Sequence, residues 1–344
     1  MDDKFEIEKN SIADLRYNLN YYGADYPVDA LVKRMDSEEF IFPNFQRQYV
    51  WKVDEASKFV ESLLLGLPVP SIFLAKDKFS NKLIVIDGQQ RLRTLQFFYR
   101  GQFPDGKPFK LKNVIPQING YTYHDLAPED RFTLDNTIIH CLIIAENEKS
   151  DSIFYLFERL NTTGTPLTNQ EIRNAIYHGS FNDQLNELSQ SEIWKKLYHK
   201  EEIRLEDQEL ILRFISLTVE LENYSGSLNE FLNAFMLQNR NFELVPKAEI
   251  DRIFYGTLNI ILEAIGENAF YHNKQFNRSL FETICISIAI KKNLHPKTVK
   301  AFYERLIQSE EFWQLSKSAT TSKRSILSRI EFAQQIIDTV ENES

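Results

Sequence analysis

The sequence predicts an α+β protein, with a small sheet and its helices in residues 1–180 and an irregular all-helical domain in residues 181–344. Three observations carry that prediction. The apolar run 83–86 breaks off at Asp87-Gly88, and Leu92, Leu95, Phe98 and Tyr99 then follow at helical spacing up to Gly101. This reads as strand, tight turn and helix. Further apolar runs at 40–42, 71–75 and 137–144 read as strands, and a polar turn joins 71–75 to 83–86 as a hairpin. From Phe181 onward helical spacings take over, at 193–198, 207–221, 228–237, 250–265, 280–290, 299–307 and 326–340, with no solenoid period.

Taken in order, residues 1–27 show no regular pattern and carry a cluster of tyrosines, Tyr17, Tyr21, Tyr22 and Tyr26. Val28, Leu31, Val32 and Met35 follow Pro27 as a helical face. Asp54 is placed to cap a helix with Phe59, Val60, Leu63 and Leu64 on its buried side and a stop at Gly66. Pro68 and Pro70 bracket a rigid entry into the strand 71–75. Residues 102–130, with Pro104, Gly106, Pro108, Pro116, Gly120 and Pro128, read as a loop-rich insert. The run 137–144 reads as a buried strand, with His140 and Cys141 as packed residues because no partner lies at metal-site spacing. Ser150 or Asp151 then caps a helix carrying Ile153, Phe154, Leu156, Phe157 and Leu160. Thr168 and Glu171 form a capping-box pattern that opens the next helix, through Ile172, Ala175 and Ile176 to Gly179.

Composition narrows the function. Hydrophobic content of 43% and charged content of 26% are those of a globular protein with a sizeable core. The formal charge of −9 argues against a protein that coats nucleic acid nonspecifically, because such binding depends on Lys and Arg neutralising phosphates. A local basic groove is compatible with it. Two cysteines, Cys141 and Cys285, make neither a disulfide framework nor a CxxC metal pair, which fits a reducing cytoplasm. The N-terminal residues are polar and acidic, without a signal-peptide pattern, and no apolar run has bilayer length. The expectation is a cytoplasmic protein with no membrane span.

The chemistry-bearing residues fall into three stretches. In Asp87-Gly88-Gln89-Gln90-Arg91, with Arg93 and Thr94 close behind, a carboxylate, two amides and two guanidiniums gather where a strand meets a helix. The first N–H groups of a helix lack partners and carry partial positive charge, so such a corner favours anions. Gly88 allows a sharp turn and close approach of a ligand, and the arginines match phosphate oxygens. The same residues are also compatible with an ordinary solvated turn. In residues 43–51, Gln46, Arg47 and Gln48 stand inside an aromatic frame that includes Phe45, Tyr49 and Trp51. They read either as ligand-holding groups made rigid by packing or as a loop whose aromatics plug the core. In the third stretch, Asn161-Thr162-Thr163-Gly164 is a run of small hydrogen-bonding residues suited to lining a polar ligand, beyond what helix capping needs. In the helical half, Arg278, Lys323, Arg324 and Arg329 read as surface charges on bundle helices or as cations supplied to a shared cleft.

Taken together and in this order, these stretches resemble the N-terminal domain of GmrSD-type restriction endonucleases, the DGQQR proteins of bacterial anti-phage systems. The intervening run 66–71, Gly-Leu-Pro-Val-Pro-Ser, is similar as well. The resemblance implies a ParB/sulfiredoxin-like mixed sheet in which the Asp-Gly-Gln-Gln-Arg turn takes the place of a nucleotide-phosphate loop. It implies Asp87, Gln90 and Arg91 as catalytic residues. It further implies Gln46, Arg47, Gly88, Gln89, Arg93, Thr94, Asn161, Thr162 and Gly164 as ligand-binding residues. The ligand implied is a nucleoside triphosphate, with Mg²⁺ as a candidate companion and no dedicated protein metal site. Full restriction enzymes of this family carry a C-terminal His-Asn-His nuclease domain. Here the six histidines are scattered, so the resemblance is to a stand-alone member.

The function implied is a nucleotide-binding, NTP-hydrolysing sensor or regulatory subunit of an anti-phage restriction system acting on modified foreign DNA. Its partners would be NTP, DNA and a separate nuclease or defence subunit. Phosphoryl transfer needs charge stabilisation and a positioned water more than a covalent nucleophile, which this set of side chains supplies. Asp87 either holds Mg²⁺, orients water, or fixes the turn by bonding backbone N–H groups. Two alternatives stand beside it: a nucleotide-gated DNA- or protein-binding module without turnover, and a DNA nuclease acting through Asp87 and Gln90. The acidic net charge and the absence of a metal-nuclease motif weigh against the last.

Overall fold

The computed structural model describes residues 20–42, 49–77, 80–145, 154, 156, 159–160, 167–200, 204–317 and 319–343. The chain divides into two compact units, Met1–Leu167 and Thr168–Ser344. The first combines a mixed sheet with helices and the second is mostly helical, so the α+β class and the order of its parts are as expected. The helix expected after Ser150 or Asp151 falls largely outside the described residues, although Phe154 is helical and buried.

Among the described residues the first unit holds a five-stranded sheet in the order β1-β5-β3-β4-β2. The strands are β1 Tyr21–Pro27, β2 Phe40–Ile41, β3 Ile72–Lys76, β4 Leu83–Asp87 and β5 Ile138–Ile144. β3 and β4 are the expected antiparallel hairpin. β5 runs parallel to β3, β2 parallel to β4, and β1 antiparallel to β5. Four helices accompany them: α1 Val28–Asp36, α2 Val53–Leu64, α3 Gln89–Arg100 and α4 Pro128–Asn136. Alternation along the strands sends Ile72, Leu74, Val85, Ile139, Cys141 and Ile143 to one face. There they form a single core with Leu31 of α1, Val60 and Leu63 of α2, and Leu92, Leu95 and Phe98 of α3.

Several local expectations are corrected. β1 lies in residues expected to be irregular, because Tyr21 and Tyr22 are 66% and 49% exposed and the strand lacks an apolar alternation. Its order comes from pairing with β5, a contact distant in sequence. α4 has Leu134 as its one buried residue, too little to register as a periodic face. The start of α2 is closed by Glu55, whose carboxylate accepts from the Lys52 N–H at 2.8 Å; Asp54 instead accepts from the Asn113 side-chain amide at 2.8 Å. His140, expected to be packed, is exposed, and its Nδ1 lies 2.6 Å from Asp25 Oδ1 on β1. Cys141, one residue on, points to the opposite face and is buried as expected.

The second unit begins with α5 Asn169–Ile176, which therefore sits ahead of the domain boundary expected at 180. Thr168 and Glu171 close the predicted capping box, through Thr168 N–H to Glu171 Oε2 at 2.6 Å and Glu171 N–H to Thr168 Oγ1 at 3.2 Å. There follow α6 Ser180–Gln190, α7 Glu192–Tyr198, α8 Glu206–Glu220, α9 Leu228–Gln238, α10 Lys247–Ala264, α11 Arg278–Lys291, α12 Pro296–Gln308, α13 Glu310–Leu315 and α14 Lys323–Glu343. A short hairpin, β6 Tyr271–His272 with β7 Gln275–Phe276, precedes α11. The helical spacings named from Phe181 onward fall in these helices, those at 207–221 and 250–265 running one residue past the helix end. No helix among the described residues is long and apolar enough to cross a membrane.

A buried ionic chain ties this unit together. Arg173 of α5 meets Glu209 of α8 at 3.0 Å, and Arg213 reaches Glu209 at 2.7 Å and Glu282 of α11 at 3.1 Å. Arg329 of α14 completes it on Glu282 at 3.2 Å. Burial opposes ionisation of Glu209, but Arg213 and Arg173 outweigh it and hold its carboxyl below the usual range. Arg329, expected on the surface or in a cleft, is 1% exposed and also donates to the Thr320 carbonyl at 2.9 Å. Glu282→Ala would leave buried Arg329 without a carboxylate and Arg213 with Glu209 alone, so the helical unit should lose about 3–5 kcal/mol of stability in urea unfolding. A loss below about 1 kcal/mol would show that the chain contributes nothing to holding α8, α11 and α14 together.

Candidate functional site

The candidate site is built where β4 ends. The β3–β4 register pairs Leu74 with Val85 but Phe73 with Asp87, so Ile86 is an extra residue. Such a bulge turns the end of a strand and re-aims the side chain that follows it. Gly88 then takes φ of +101°, a conformation that side chains with Cβ rarely adopt. A Cβ at this position would also lie 2.9 Å from Ile72 Cγ1. With Gly88 as its cap, α3 starts at Gln89, and Leu92 N–H closes the first turn on the Gly88 carbonyl at 2.9 Å.

Helical spacing then divides the polar residues into pairs four apart. Asp87 and Arg91 form the first. The Arg91 guanidinium donates to Asp87 Oδ2 at 2.7 Å, to the Ser71 carbonyl at 3.2 Å and to the Pro70 carbonyl. Its side chain is 11% exposed, whereas that of Asp87 is 43% exposed. Burial lowers the pKa of Arg91 and Asp87 opposes the shift; the guanidinium stays charged.

Gln90 and Thr94 form the second pair, turned toward residues 49–51. Gln90 Oε1 accepts from the N–H groups of Val50 at 3.0 Å and Trp51 at 3.3 Å. Thr94 Oγ1 donates to the Gln90 carbonyl at 2.8 Å and lies 2.7 Å from the Tyr49 hydroxyl, which therefore acts as donor to it. Burial pushes the Tyr49 phenol up to about 12.

The third pair, Gln89 and Arg93, lines a cavity of about 810 Å³. Phe42, Tyr49, Trp51, Phe97 and Phe103 give it aromatic walls, and Lys52, Asp105 and Lys107 add charge. Asp105 and Lys107 are paired with each other at 2.7 Å. The Arg93 guanidinium lies 4.3 Å over the Phe42 ring, and burial, with the Arg100 charge next, lowers its pKa. Asp87 and Arg91 are not among the lining residues.

Residues 28–178 match the family model for the N-terminal domain of the GmrSD restriction endonuclease. This segment is a GmrSD-type N-terminal domain. Among curated proteins none matches the chain. The matched segment contains all three stretches singled out in the sequence. It leaves out the edge strand β1 and extends through α5, the first helix of the second unit. The family points to a component of a restriction system.

Within the GmrSD-type domain, Asp87, Gly88, Gln89, Gln90, Arg91, Arg93 and Thr94 are brought to one corner, facing three ways. Gln46, Arg47, Asn161, Thr162 and Gly164 lie outside the described residues. Among the described residues no group of three or more His, Cys, Asp or Glu side chains gathers as a metal site. Mg²⁺ at Asp87 would need ligand phosphates and water for most of its coordination, an arrangement common for this ion. Sequence reasoning missed Lys52, Phe97, Phe103, Asp105 and Lys107. A signal was present in Phe103-Pro104-Asp105-Gly106, a turn sequence, and Phe103 N–H does bond the Lys107 carbonyl at 2.9 Å.

Two substitutions test this construction. Gly88→Ala meets both an unfavourable φ and the Ile72 side chain, and should cost about 1–3 kcal/mol. Arg91→Ala leaves Asp87 and two carbonyls without their donor, with an expected cost of about 1.5–3 kcal/mol. Denaturant unfolding of both variants measures these losses; wild-type stability in Arg91→Ala would mean the guanidinium does not hold the corner.

Proposed function

We propose that this protein is a nucleoside triphosphate-binding sensor or regulatory subunit of a restriction system that acts on modified foreign DNA. The observation that carries the reading is the cavity of about 810 Å³ opening beside the first turn of α3. Its size is that of a small-molecule site. The start of α3 directs backbone N–H groups and partial positive charge towards a bound phosphate, and Gln89, Arg93 and Lys52 line the cavity beside it. A net charge of −9 leaves DNA contact to a local surface or to a separate nuclease subunit.

Hydrolysis is assigned to Asp87, half-exposed beside the cap of α3 and aimed by Arg91. It would anchor Mg²⁺ or orient the attacking water, with Arg93 and Lys52 balancing phosphate charge. Arg91 has the role of holding that carboxylate. A second reading, nucleotide binding without turnover, is favoured by the same observation: the Arg91 guanidinium is occupied by Asp87 and two backbone carbonyls, and so is withdrawn from a transition state.

A thermal-shift panel of nucleoside triphosphates with Mg²⁺, followed by phosphate-release assays, tests both. At least one nucleotide should raise the melting temperature; at a concentration of 100 times Kd the added stability is about 2.7 kcal/mol. Arg93→Ala should weaken binding at least tenfold. Asp87→Ala should keep binding and lose phosphate release. Binding without release in the wild-type protein selects the second reading, and no shift with any nucleotide overturns both.

A further inference from the structure

We infer that the cavity beside α3 takes the planar ring of the ligand, and that Gln90 and Thr94 are positioning residues that hold its aromatic wall. The inference rests on the reading that a nucleotide binds at this helix, and it divides the ligand between two environments. Phosphates are matched by the helix start and the cations. Much of the rest of the lining is aromatic, from Phe42, Tyr49, Trp51, Phe97 and Phe103, with Val53, Pro104 and Pro108 between them. Flat rings and few polar groups suit a base, whose faces stack and whose binding by stacking is worth about 1–3 kcal/mol.

The wall is fixed in place. Tyr49 meets Phe97 edge-on at 4.9 Å and Phe103 at 6.0 Å, and Trp51 meets Phe59 edge-on at 5.7 Å. Yet Tyr49 and Trp51 stand on irregular backbone, outside any strand or helix. Their orientation comes from α3. One oxygen, Gln90 Oε1, accepts the N–H groups of both Val50 and Trp51, and Thr94 holds the Tyr49 hydroxyl. Two backbone donors converging on this atom require it to be an acceptor, which fixes the orientation of the amide. Thr94 is fully buried and its hydroxyl is engaged on both sides, so it reaches the cavity through Tyr49 alone.

An acceptor role separates this inference from direct contact between Gln90 and phosphates. Gln90→Glu keeps an oxygen for both N–H groups but would repel a phosphate. Gln90→Ala loses the acceptor, and Thr94→Val loses the Tyr49 anchor.

Calorimetry with nucleoside triphosphates and with inorganic triphosphate as the ring-free probe reads out the ligand. Amide hydrogen exchange at Val50 and Trp51 reads out the wall without ligand. Nucleoside triphosphate should bind at least tenfold tighter than inorganic triphosphate. Gln90→Ala and Thr94→Val should erase that preference while inorganic triphosphate binds as before, and Gln90→Glu should retain it. Exchange at Val50 and Trp51 should accelerate at least tenfold in Gln90→Ala and stay slow in Gln90→Glu. Equal affinity for the two ligands overturns the ring assignment and leaves nucleotide binding standing. Loss of binding in Gln90→Glu with slow exchange preserved overturns the positioning role, since the side chain would then touch the phosphates. Binding of neither ligand removes the ring assignment together with the nucleotide reading.

Discussion

The geometry around α3 follows from one backbone constraint: a glycine at φ of +101°, closed against Ile72 of the neighbouring strand. Gly88 sets the direction in which α3 leaves the sheet. Because Leu92, Leu95 and Phe98 must then face the core, the phase of the helix is fixed as well. With the phase set, residues four apart share a direction. Asp87 and Arg91 meet at the sheet end, Gln90 and Thr94 face residues 49–51, and Gln89 and Arg93 face the cavity. A substituent at position 88 would therefore disturb three sets of contacts together.

Much of this was legible in the sequence. An apolar run broken by Asp-Gly and followed by helical spacing has few other solutions, and the caps at Gly101 and Thr168 stand where the side chains allow them. What periodicity cannot convey is pairing between distant segments. β1 carries Tyr21 and Tyr22 exposed and is ordered by β5, which lies more than a hundred residues away. The sequence also gathered Asp87, Gln90 and Arg91 as one chemical unit, whereas the fold spreads them over separate contacts. The carboxylate and guanidinium satisfy each other, and the amide serves the backbone. Residue types indicate which bonds a side chain can make, but its orientation decides which ones it does make. The cavity wall from residues 103–107 was hidden for another reason: a turn-rich insert has no period, and its Phe103 could be assigned to a site only once the opposite wall was known.

The second unit applies the opposite economy. Its helices are legible from apolar spacing alone, yet it buries an alternating chain of guanidiniums and carboxylates from α5, α8, α11 and α14. Apolar residues of similar volume would pack these helices at least as well. Charges demand particular partners, however, and Glu282 accepts Arg213 on one oxygen and Arg329 on the other. A rotation of α14 that an apolar contact would tolerate breaks this pairing. The chain therefore acts on the register of the helices more than on their net stability.

Occupied hydrogen-bonding groups at the α3 corner bear directly on its chemistry. A guanidinium that reaches a carboxylate and two strand-end carbonyls works through its fork geometry, which a lysine cannot reproduce from one nitrogen. Arg91 spends that capacity inside the protein, so charge for a bound anion must come from elsewhere. Arg93, two residues further along and turned to a different side of the helix, lies over an aromatic ring beside the cavity. A cation over a ring face is held by its hydrocarbon surroundings without giving up its N–H donors to another side chain. The two arginines thus divide the work that residue type alone would assign to either: Arg91 gives the corner its shape, and Arg93 is the cation that lines the cavity.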